Sequence, residues 1–330
     1  MQNRLLKKIN PFIPFTARFP LPYVIPVYHV VSNDYLPHLK HIINYKNTKE
    51  FEKDLDDLSK LFHFVEWDFF KDNFHIKNNK PYALLTFDDG LSQFREVIIP
   101  ILLRKGIYAI NFINPAFVDN KDMMFRLKTS LLIDKIKSNK KFVRDEMKSY
   151  LHLNTNSAEE AIRKIKAIKY ENKNRLNDLA HYLNVDFEEF VSKEKIYLNR
   201  HDLDFAKSNG FGIAAHSWDH PYLADLPLDS QLSTVKKSIN YMIDHHYTDN
   251  CFSFPFTDYN LKKEFFEKMF AHNTSLQISF GTAGVKQDSI TNNLQRIPME
   301  NGFSALEELK FESNYFQLKK LFNKNIIHRP

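Results

Sequence analysis

A short apolar run that ends in two adjacent carboxylates constrains this chain more than any other feature. Residues 84–90 are Leu-Leu-Thr-Phe-Asp-Asp-Gly, so Asp88 and Asp89 follow the apolar residues directly. Such a run is typical of a buried strand, and α/β proteins place their chemistry just past the C-terminal ends of strands. The alternative is that the two acids cap the next helix and complement its dipole.

A second cluster supplies two imidazoles. Residues 216–220 are His-Ser-Trp-Asp-His and follow the strand-like residues 211–215. His216 and His220 would share a helix face whether or not a metal is bound, but Pro221 disfavours helical backbone at His220. Two imidazole nitrogens and one carboxylate oxygen are a familiar ligand set for catalytic zinc. The two clusters therefore predict a metal site with a second carboxylate beside it.

The two motifs together resemble those of the polysaccharide deacetylases of the NodB-homology class, also called carbohydrate esterase family 4. That family carries Thr-Phe-Asp-Asp-Gly first and His-Ser/Thr-x-x-His second, and both occur here in that order. The resemblance implies a distorted (β/α) barrel and a metal-dependent hydrolase that deacetylates an amino sugar. It also implies that Asp88 is the catalytic base. By the same resemblance, Asp89, His216 and His220 are the metal ligands.

Two later segments resemble further family motifs in part. Phe254-Pro255-Phe256 stands where the family has Arg-x-Pro-Tyr or Tyr-Pro-Phe/Tyr-Gly, with Ser253 replacing the arginine and Thr257 the glycine. In the family, the backbone N–H after this proline helps to hold the oxyanion, a role that falls to Phe256. Arg296 lies in a segment that resembles one whose arginine, in some members, orients the catalytic aspartate. The alternative for Arg296 is an ordinary surface arginine.

The family's usual general acid has no counterpart in the expected place. That acid is a histidine in a late Leu-x-x-His motif, and the only histidine after Arg296 is His328, in a tail predicted to be frayed. His29 resembles the Tyr-His that often closes the first strand of related deacetylases. It is a candidate catalytic residue, with plain hydrogen bonding in the barrel mouth as the alternative. Glu300 is a weaker candidate of the same kind.

The residues suit amide hydrolysis without appeal to the family. Amide hydrolysis needs a nucleophile stronger than water, a stabilised oxyanion and a proton for the departing amine. A bound metal supplies the first two, because it acidifies water and polarises the carbonyl. Asp88 can take the proton from that water. A nearby dication would keep the pKa of Asp88 low, so Arg296 would matter for orientation more than for charge. Such ligands suit zinc first, although manganese, iron, cobalt and nickel occupy similar sites.

Strand-like and helical runs alternate along the chain, as in a (β/α) barrel. Strands are predicted at residues 23–31, 83–87, 108–113, 211–215, 251–254, 276–280 and around 295–299. An amphipathic helix over residues 91–105, ended by Gly106, completes a βαβ unit between the second and third strands.

Three regions are predicted from this pattern. Residues 1–22 form an N-terminal arm, residues 23–119 and 200–330 the deacetylase barrel, and residues 120–199 an all-helical insertion. The insertion has no glycine and carries Lys, Asn, Glu, Ile and Leu in helical periodicity. Its predicted role is open between a lid, a dimer surface, a specificity element and a packed scaffold. The basic, apolar arm lacks the continuous apolar segment of a secretory signal and is predicted either to pack on the barrel or to lie on a membrane surface.

Composition bounds the partners. No apolar run approaches the ~20 residues of a membrane-spanning helix, and the single Cys251 allows no internal disulfide, which agrees with a reducing compartment. The net charge is +6, and the basic residues are mixed with acidic residues along the chain. A solvated surface explains most of this charge, with weak attraction to anionic lipid headgroups as the secondary interpretation. No nucleic-acid partner is expected.

These observations predict a cytoplasmic enzyme, at the inner face of the membrane if the arm binds lipid. The predicted substrate is an N-acetylated or otherwise N-acylated glycan or lipid-linked sugar, such as a surface-polysaccharide precursor, and the predicted cofactor is a divalent metal, zinc before others. One alternative is amide hydrolysis on a small non-carbohydrate substrate. Another is a catalytically silent sugar-binding protein of the same fold, which the missing late histidine favours and the two intact motifs oppose.

Overall fold

The computed structural model describes residues 19–138, 145–154 and 157–330, so most of the predicted arm (residues 1–22) lies outside the described residues. The strands are β1 (Tyr23–Val24), β2 (Pro26–Tyr28), β3 (His63–Phe64), β4 (Tyr82–Ala83), β5 (Leu85–Asp88), β6 (Ala109–Ile113), β7 (Gly212–Ala215), β8 (Cys251–Ser253), β9 (Ile278–Gly281), β10 (Gln287–Asp288), β11 (Asn293–Gln295), β12 (Ile297–Pro298) and β13 (Ile326–Ile327). The α-helices are α1 (Thr48–Leu61), α2 (Trp67–Asn73), α3 (Ile99–Lys105), α4 (Phe125–Ser138), α5 (Asp145–Leu151), α6 (Ala158–Lys166), α7 (Arg175–Leu183), α8 (Phe187–Lys193), α9 (Arg200–Ser208), α10 (Leu228–Asp244), α11 (Lys263–His272) and α12 (Ala305–Leu321).

Eight parallel strands form the main sheet, in the order β11-β9-β8-β7-β6-β5-β2-β12. The two edge strands, β11 and β12, are separated in sequence by Arg296 alone. Arg296 N donates to Gly281 O of β9 at 3.0 Å, whereas Ile297 N donates to Ile25 O beside β2 at 2.9 Å. One segment therefore pairs with both ends of the sheet and leaves the barrel nearly closed. The predicted α/β barrel is confirmed.

The barrel strands are apolar because they are buried on both faces. Every residue of β5, β6, β7, β8 and β9 is buried, which is the usual condition of parallel strands that are covered by helices. Their side chains join those of the surrounding helices in one continuous apolar core. The C-terminal ends of these strands, at one mouth of the barrel, are therefore held rigidly.

The predicted first strand, residues 23–31, is shorter in the structure. It divides into β1 and β2 and ends at Tyr28. The reason lies beyond the strand, where the backbone N–H groups of His29 and Val30 donate to the Glu300 carboxylate at 3.0 and 3.1 Å. A side chain thus takes the hydrogen bonds that a neighbouring strand would otherwise accept.

The predicted helix over residues 91–105 begins later than expected. Residues Phe94–Ile98 form a π-helical turn, and α3 follows it. Pro100 lies in the first turn of α3 and lacks the N–H that a continuous α-helix would use, and the wider turn directly before it accommodates the ring. Gly106 ends α3 with a φ of 61°, as the sequence predicts.

The described part of the insertion is mostly helical. Between residues 120 and 199 the described elements are, in chain order, α4, α5, α6, a 3-10 turn (Tyr170–Asn172), α7 and α8. Helix α4 packs against α6 and α7. Their apolar faces form a second core, distinct from that of the barrel. Leu39, Leu91 and Phe117, from loops of the barrel, complete this second core. The insertion is therefore seated on the barrel mouth.

The prediction of a frayed C-terminus is wrong. β13 pairs in parallel with β10, and the guanidinium of Arg329 forms ion pairs with Asp258 and Asp288. The Arg329 side chain is only 2% exposed, and two carboxylates compensate its burial. His328 stays exposed on this anchored tail. Among the described helices, none has the length and apolar character to cross a bilayer.

Candidate active site

The two predicted clusters meet at the C-terminal ends of β5 and β7. Asp88 is the last residue of β5, with Asp89 directly after it, and His216 follows β7. The Nε2 atoms of His216 and His220 lie 3.5 and 3.3 Å from Asp89 Oδ1. The ligand atoms that these three residues offer all lie within 4.8 Å of one another. The structure thus brings the predicted metal ligands together.

The donor atoms of this cluster fit a divalent cation. His216 Nδ1 lies 2.9 Å from the carbonyl oxygen of Ser253, an acceptor that holds the proton on Nδ1 and leaves the Nε2 lone pair for a metal. Asp89 Oδ1 is buried without a hydrogen-bond partner among the described residues. Burial raises the pKa of Asp89 to about 7 and lowers the pKa of His216 to about 4. A cation between them would offset the burial of the carboxylate.

Strained backbone conformations set the directions of several side chains in the site. Four non-glycine site residues adopt the left-handed conformation, namely Asp89 (φ 75°), Ser217 (φ 65°), His220 (φ 61°) and Phe256 (φ 59°). Such residues cost of order 1–3 kcal/mol each and cluster at functional sites. His220 N donates to Ser217 Oγ at 3.2 Å, which stabilises this turn. His220 therefore lies in a loop, as Pro221 predicts, and the helical interpretation of the motif is wrong.

Gly90 completes the first motif for a steric reason. Its φ is 66°, and a Cβ at this position would lie 3.0 Å from Ile113 Cγ2 of β6. Neither Asp88 nor Asp89 caps a helix, because the next helical turn starts at Phe94. The helix-cap interpretation of the two acids is therefore wrong.

Arg296 fixes the orientation of Asp88. Its Nη1 and Nη2 atoms donate to Oδ1 and Oδ2 of Asp88 at 2.8 and 2.6 Å. The Arg296 side chain is fully buried, so the surface interpretation is wrong. Burial favours a higher pKa for Asp88, but the charge and hydrogen bonds of Arg296, together with the charges of His216 and His29, outweigh burial and hold the pKa below its usual range. Asp88 is thus an ionised carboxylate held in one orientation, as a general base requires.

Ser253 has a role that the sequence analysis missed. Its carbonyl oxygen accepts from His216, and its Oγ accepts from Arg296 Nη2 at 2.6 Å. It therefore connects a metal ligand to the arginine that holds Asp88. The available signal was its position, because Ser253 replaces the arginine of one variant of the third motif. The guanidinium that contacts Asp88 comes from Arg296, in a later segment.

His29 and Glu300, the two weakest candidates, form a pair. His29 Nδ1 lies 2.6 Å from Glu300 Oε2, and His29 lines the same cleft as Asp88 and Asp89. Burial favours the neutral imidazole, but the Glu300 carboxylate, together with Asp89 and Asp88, outweighs burial and raises the pKa of His29 to about 9. The structure therefore places a protonated imidazole at the barrel mouth, beside the two aspartates.

Phe256 lies on the other side of the cleft. Its N–H donates to none of the residues that the structure describes, so it is available to an oxyanion, as the third motif predicts. The Phe256 ring is 40% exposed and packs edge-on against His220, with ring centroids 4.5 Å apart. The side chain thus covers a metal-ligand candidate and offers an apolar face to a substrate.

The cleft over this site has a volume of about 550 Å³ and takes its walls from two regions. The barrel contributes His29, Asp88, Asp89, His220 and Phe256, and the insertion contributes Met124, Arg126, Thr129 and Lys166. The sequence left the role of the insertion open. The structure makes it one wall of the cleft.

A parallel α/β barrel with two acids and two histidines at the ends of its strands is the framework of a hydrolase with a candidate metal site. The model of the polysaccharide deacetylase family matches residues 75–268, and the chain belongs to that family. Members of this family hydrolyse C–N amide bonds, and this protein is a carbohydrate deacetylase of that family. A search of curated proteins gave no match.

Several solved structures share this fold. The Streptococcus pyogenes deacetylase PplD, in complex with acetate, is 14% identical, with 88% of this chain and 97% of that chain covered and a TM-score of 0.55. IcaB from Ammonifex degensii is 13% identical, with 90% and 100% covered and a TM-score of 0.55. BC0361, a polysaccharide deacetylase from Bacillus cereus, is 11% identical, with 88% and 68% covered and a TM-score of 0.52. At these identities the likeness shows the fold.

Proposed function

We propose that this protein is a metal-dependent deacetylase that removes the N-acetyl group from an amino sugar in a glycan or surface-polysaccharide precursor. The observation that carries the proposal is the convergence of Asp89, His216 and His220 beside Asp88, whose carboxylate Arg296 fixes. This arrangement offers a candidate base beside three candidate metal ligands. It gives no support to the catalytically silent alternative.

Asp89, His216 and His220 would hold the metal, for which we propose zinc because two imidazoles and one carboxylate suit it. When bound, the metal supplies charge that polarises the acetyl carbonyl and acidifies water. Asp88 takes the proton from the attacking water, and its bidentate contact with Arg296 keeps the accepting oxygen in place.

The remaining steps fall to groups on opposite sides of the cleft. The N–H of Phe256 donates to the carbonyl oxygen as negative charge develops on it. His29 donates a proton to the departing amine, while Glu300 holds His29 Nδ1 and so leaves Nε2 as the donor. Glu300 is therefore a positioning residue, whereas His29 touches the substrate.

We also propose that the enzyme works in the cytoplasm, on a lipid-linked precursor at the inner face of the membrane. The buried, single Cys251 supports a reducing compartment. Burial raises the pKa of Cys251 well above its usual range, so a role as nucleophile is not supported. Vesicle binding that requires residues 1–19 would support the membrane placement, and equal binding with and without them would contradict it.

The test of the metal site is to measure bound metal in the purified protein and acetate release from N-acetylated oligosaccharides. We expect near-stoichiometric divalent metal in the parent. The double variant His216→Ala/His220→Ala should lose most of it, since one protein ligand binds a metal far more weakly than three. His328→Ala is the matched control and should change neither quantity. Equal metal content in the double variant and the parent would place the metal elsewhere.

The test of the base compares the two adjacent aspartates. Asp88→Asn should keep its metal and lose about 10²–10⁴ in rate, whereas Asp89→Asn should lose metal as well. His29→Gln should also retain its metal and lose rate in the same range. Near-parental turnover in Asp88→Asn would remove Asp88 from the mechanism.

A further inference from the structure

Two cations of the insertion face the catalytic cleft. Arg126, near the start of α4, and Lys166, the last residue of α6, line the cleft together with Asp88 and His220. Arg126 Nη1 donates to the carbonyl oxygen of Lys166 at 2.9 Å, so the two residues are adjacent. Neither forms an ion pair with any residue in the described ranges.

Three other cations of the insertion form ion pairs. Lys128 contacts Asp122 at 2.8 Å, Lys169 contacts Asp225 at 3.3 Å and Lys173 contacts Asp219 at 2.9 Å. Arg126 differs because burial lowers its pKa and no carboxylate among the described residues pairs with it. A partly buried guanidinium without a counter-ion is unfavourable unless a ligand supplies the opposite charge.

The position of Arg126 relates it to the reaction. Its guanidinium carbon lies 5.8 Å from the centroid of the Phe256 ring, and the same ring lies 4.5 Å from that of His220. One aromatic ring thus separates Arg126 from the candidate metal ligands. A group bound at Arg126 would belong to the acetamido sugar that reacts or to the sugar or substituent next to it.

We propose that Arg126 and Lys166 form an anion subsite that binds a phosphate or carboxylate group of the N-acetylated substrate. A guanidinium binds either oxyanion with two parallel hydrogen bonds, and the ammonium adds a point charge. The inference rests on the proposed function, because the anion is carried by the deacetylated carbohydrate. It makes the insertion a specificity element.

A purely structural role for Arg126 is the competing explanation, since its contact with Lys166 O caps the C-terminus of α6. This contact uses one of the five N–H donors of a guanidinium. Lys166 separates the two explanations. Lys166→Gln removes a charge from the cleft and leaves the capped backbone carbonyl in place.

The experiment measures binding by calorimetry in metal-loaded Asp88→Asn protein, which slows turnover. The probes are a neutral tetramer of N-acetylglucosamine, a hyaluronan tetrasaccharide that carries carboxylates, and UDP-N-acetylglucosamine, which carries a diphosphate. At least one anionic probe should bind about tenfold more tightly than the neutral one, as charged hydrogen bonds allow. Whichever anionic probe binds more tightly identifies the anion.

Variants assign that preference to the subsite. Arg126→Gln and Lys166→Gln should each weaken the anionic probe about tenfold and leave the neutral probe unchanged, and Arg126→Lys should restore part of the loss. The matched control is Arg163→Gln on α6, the helix that carries Lys166. The Arg163 side chain is 75% exposed and lies outside the cleft. This control should change neither affinity.

Failure of the subsite and failure of the proposed function give different results. Equal affinities for neutral and anionic probes, no binding of either anionic probe, or an anion preference unchanged in both variants would overturn the subsite. The parent enzyme could still release acetate from the neutral tetramer, and the proposed function would then stand. Selective anion binding by the Asp88→Asn protein, with no acetate released from any probe by the parent enzyme, would instead overturn the proposed function alone.

Discussion

The barrel and the insertion are stabilised in different ways. In the barrel, strands that are distant in sequence pair with one another, and a fully buried ion pair, Arg296 with Asp88, lies inside. In the insertion, helices pack on helices close in sequence, around a separate apolar core. The proposed chemistry therefore depends on long-range pairing, whereas the cleft wall that we propose to select the substrate is a locally folded unit.

The two regions meet at the second motif. Asp219, between His216 and His220, accepts hydrogen bonds from Tyr170 and from Lys173, both in the insertion. The loop that carries two metal-ligand candidates is thus held from the insertion side. The comparison of the regions can be tested by variants in each of them and at this contact.

The largest effect is expected from Arg296→Met. It leaves Asp88 as a buried, unpaired carboxylate, which should lower the free energy of unfolding by about 3–5 kcal/mol. The matched variant in the insertion, Lys173→Met, breaks a pair whose side chains are 40% and 23% exposed and should cost at most about 1 kcal/mol. Urea unfolding measures both. Equal losses of unfolding free energy in the two variants would mean that the ion pair in the barrel stabilises the fold no more than the ion pair at the insertion.

A second comparison uses one cavity in each core. Leu85 in β5 and Leu179 in α7 are both fully buried, so each change to Ala should cost about 2–5 kcal/mol. Hydrogen exchange should rise throughout the molecule in Leu85→Ala but only in the insertion in Leu179→Ala. Leu318→Ala, at a 52% exposed position, is the control. Faster exchange of barrel amides in Leu179→Ala would show that the insertion is not a separate unit.

The smallest effect is expected from Asp219→Asn. The variant weakens the contact of Lys173 and Tyr170 with the second motif, so kcat should fall by up to about fivefold, the scale of a partly exposed ion pair. Metal content should stay unchanged because the three ligand candidates are retained. Asp225→Asn, which breaks the pair with Lys169 outside the motif, should leave kcat unchanged. A full loss of metal in Asp219→Asn would make the insertion part of the metal site.

The sequence predicts the parts of the site that short segments specify. Asp88 and Asp89 end an apolar run, and His216 and His220 lie within five residues of each other, so local pattern and motif suffice. The end of α3 at Gly106 is predicted for the same reason, because a left-handed helix end favours glycine.

The rest depends on contacts between distant parts of the chain. Glu300 and His29 are 271 residues apart, and no periodicity brings them together. Arg296 could not be distinguished from a surface arginine, because arginine is rarely buried without a partner and its partner is 208 residues away. The anchored tail was missed likewise, since Arg329 is buried through its pairs with Asp258 and Asp288.

The closure of the sheet at Arg296 sets an order of events during synthesis on the ribosome. β2 pairs with β5 on one side and with β12 on the other, so its second partner is translated long after β2 itself. The insertion helices meet partners made within a few tens of residues and can pack early. Until β12 emerges, the nascent barrel exposes one edge of β2, which is a site for chaperone binding or aggregation. A stalled chain that lacks Arg296 would therefore carry a folded insertion on an open sheet.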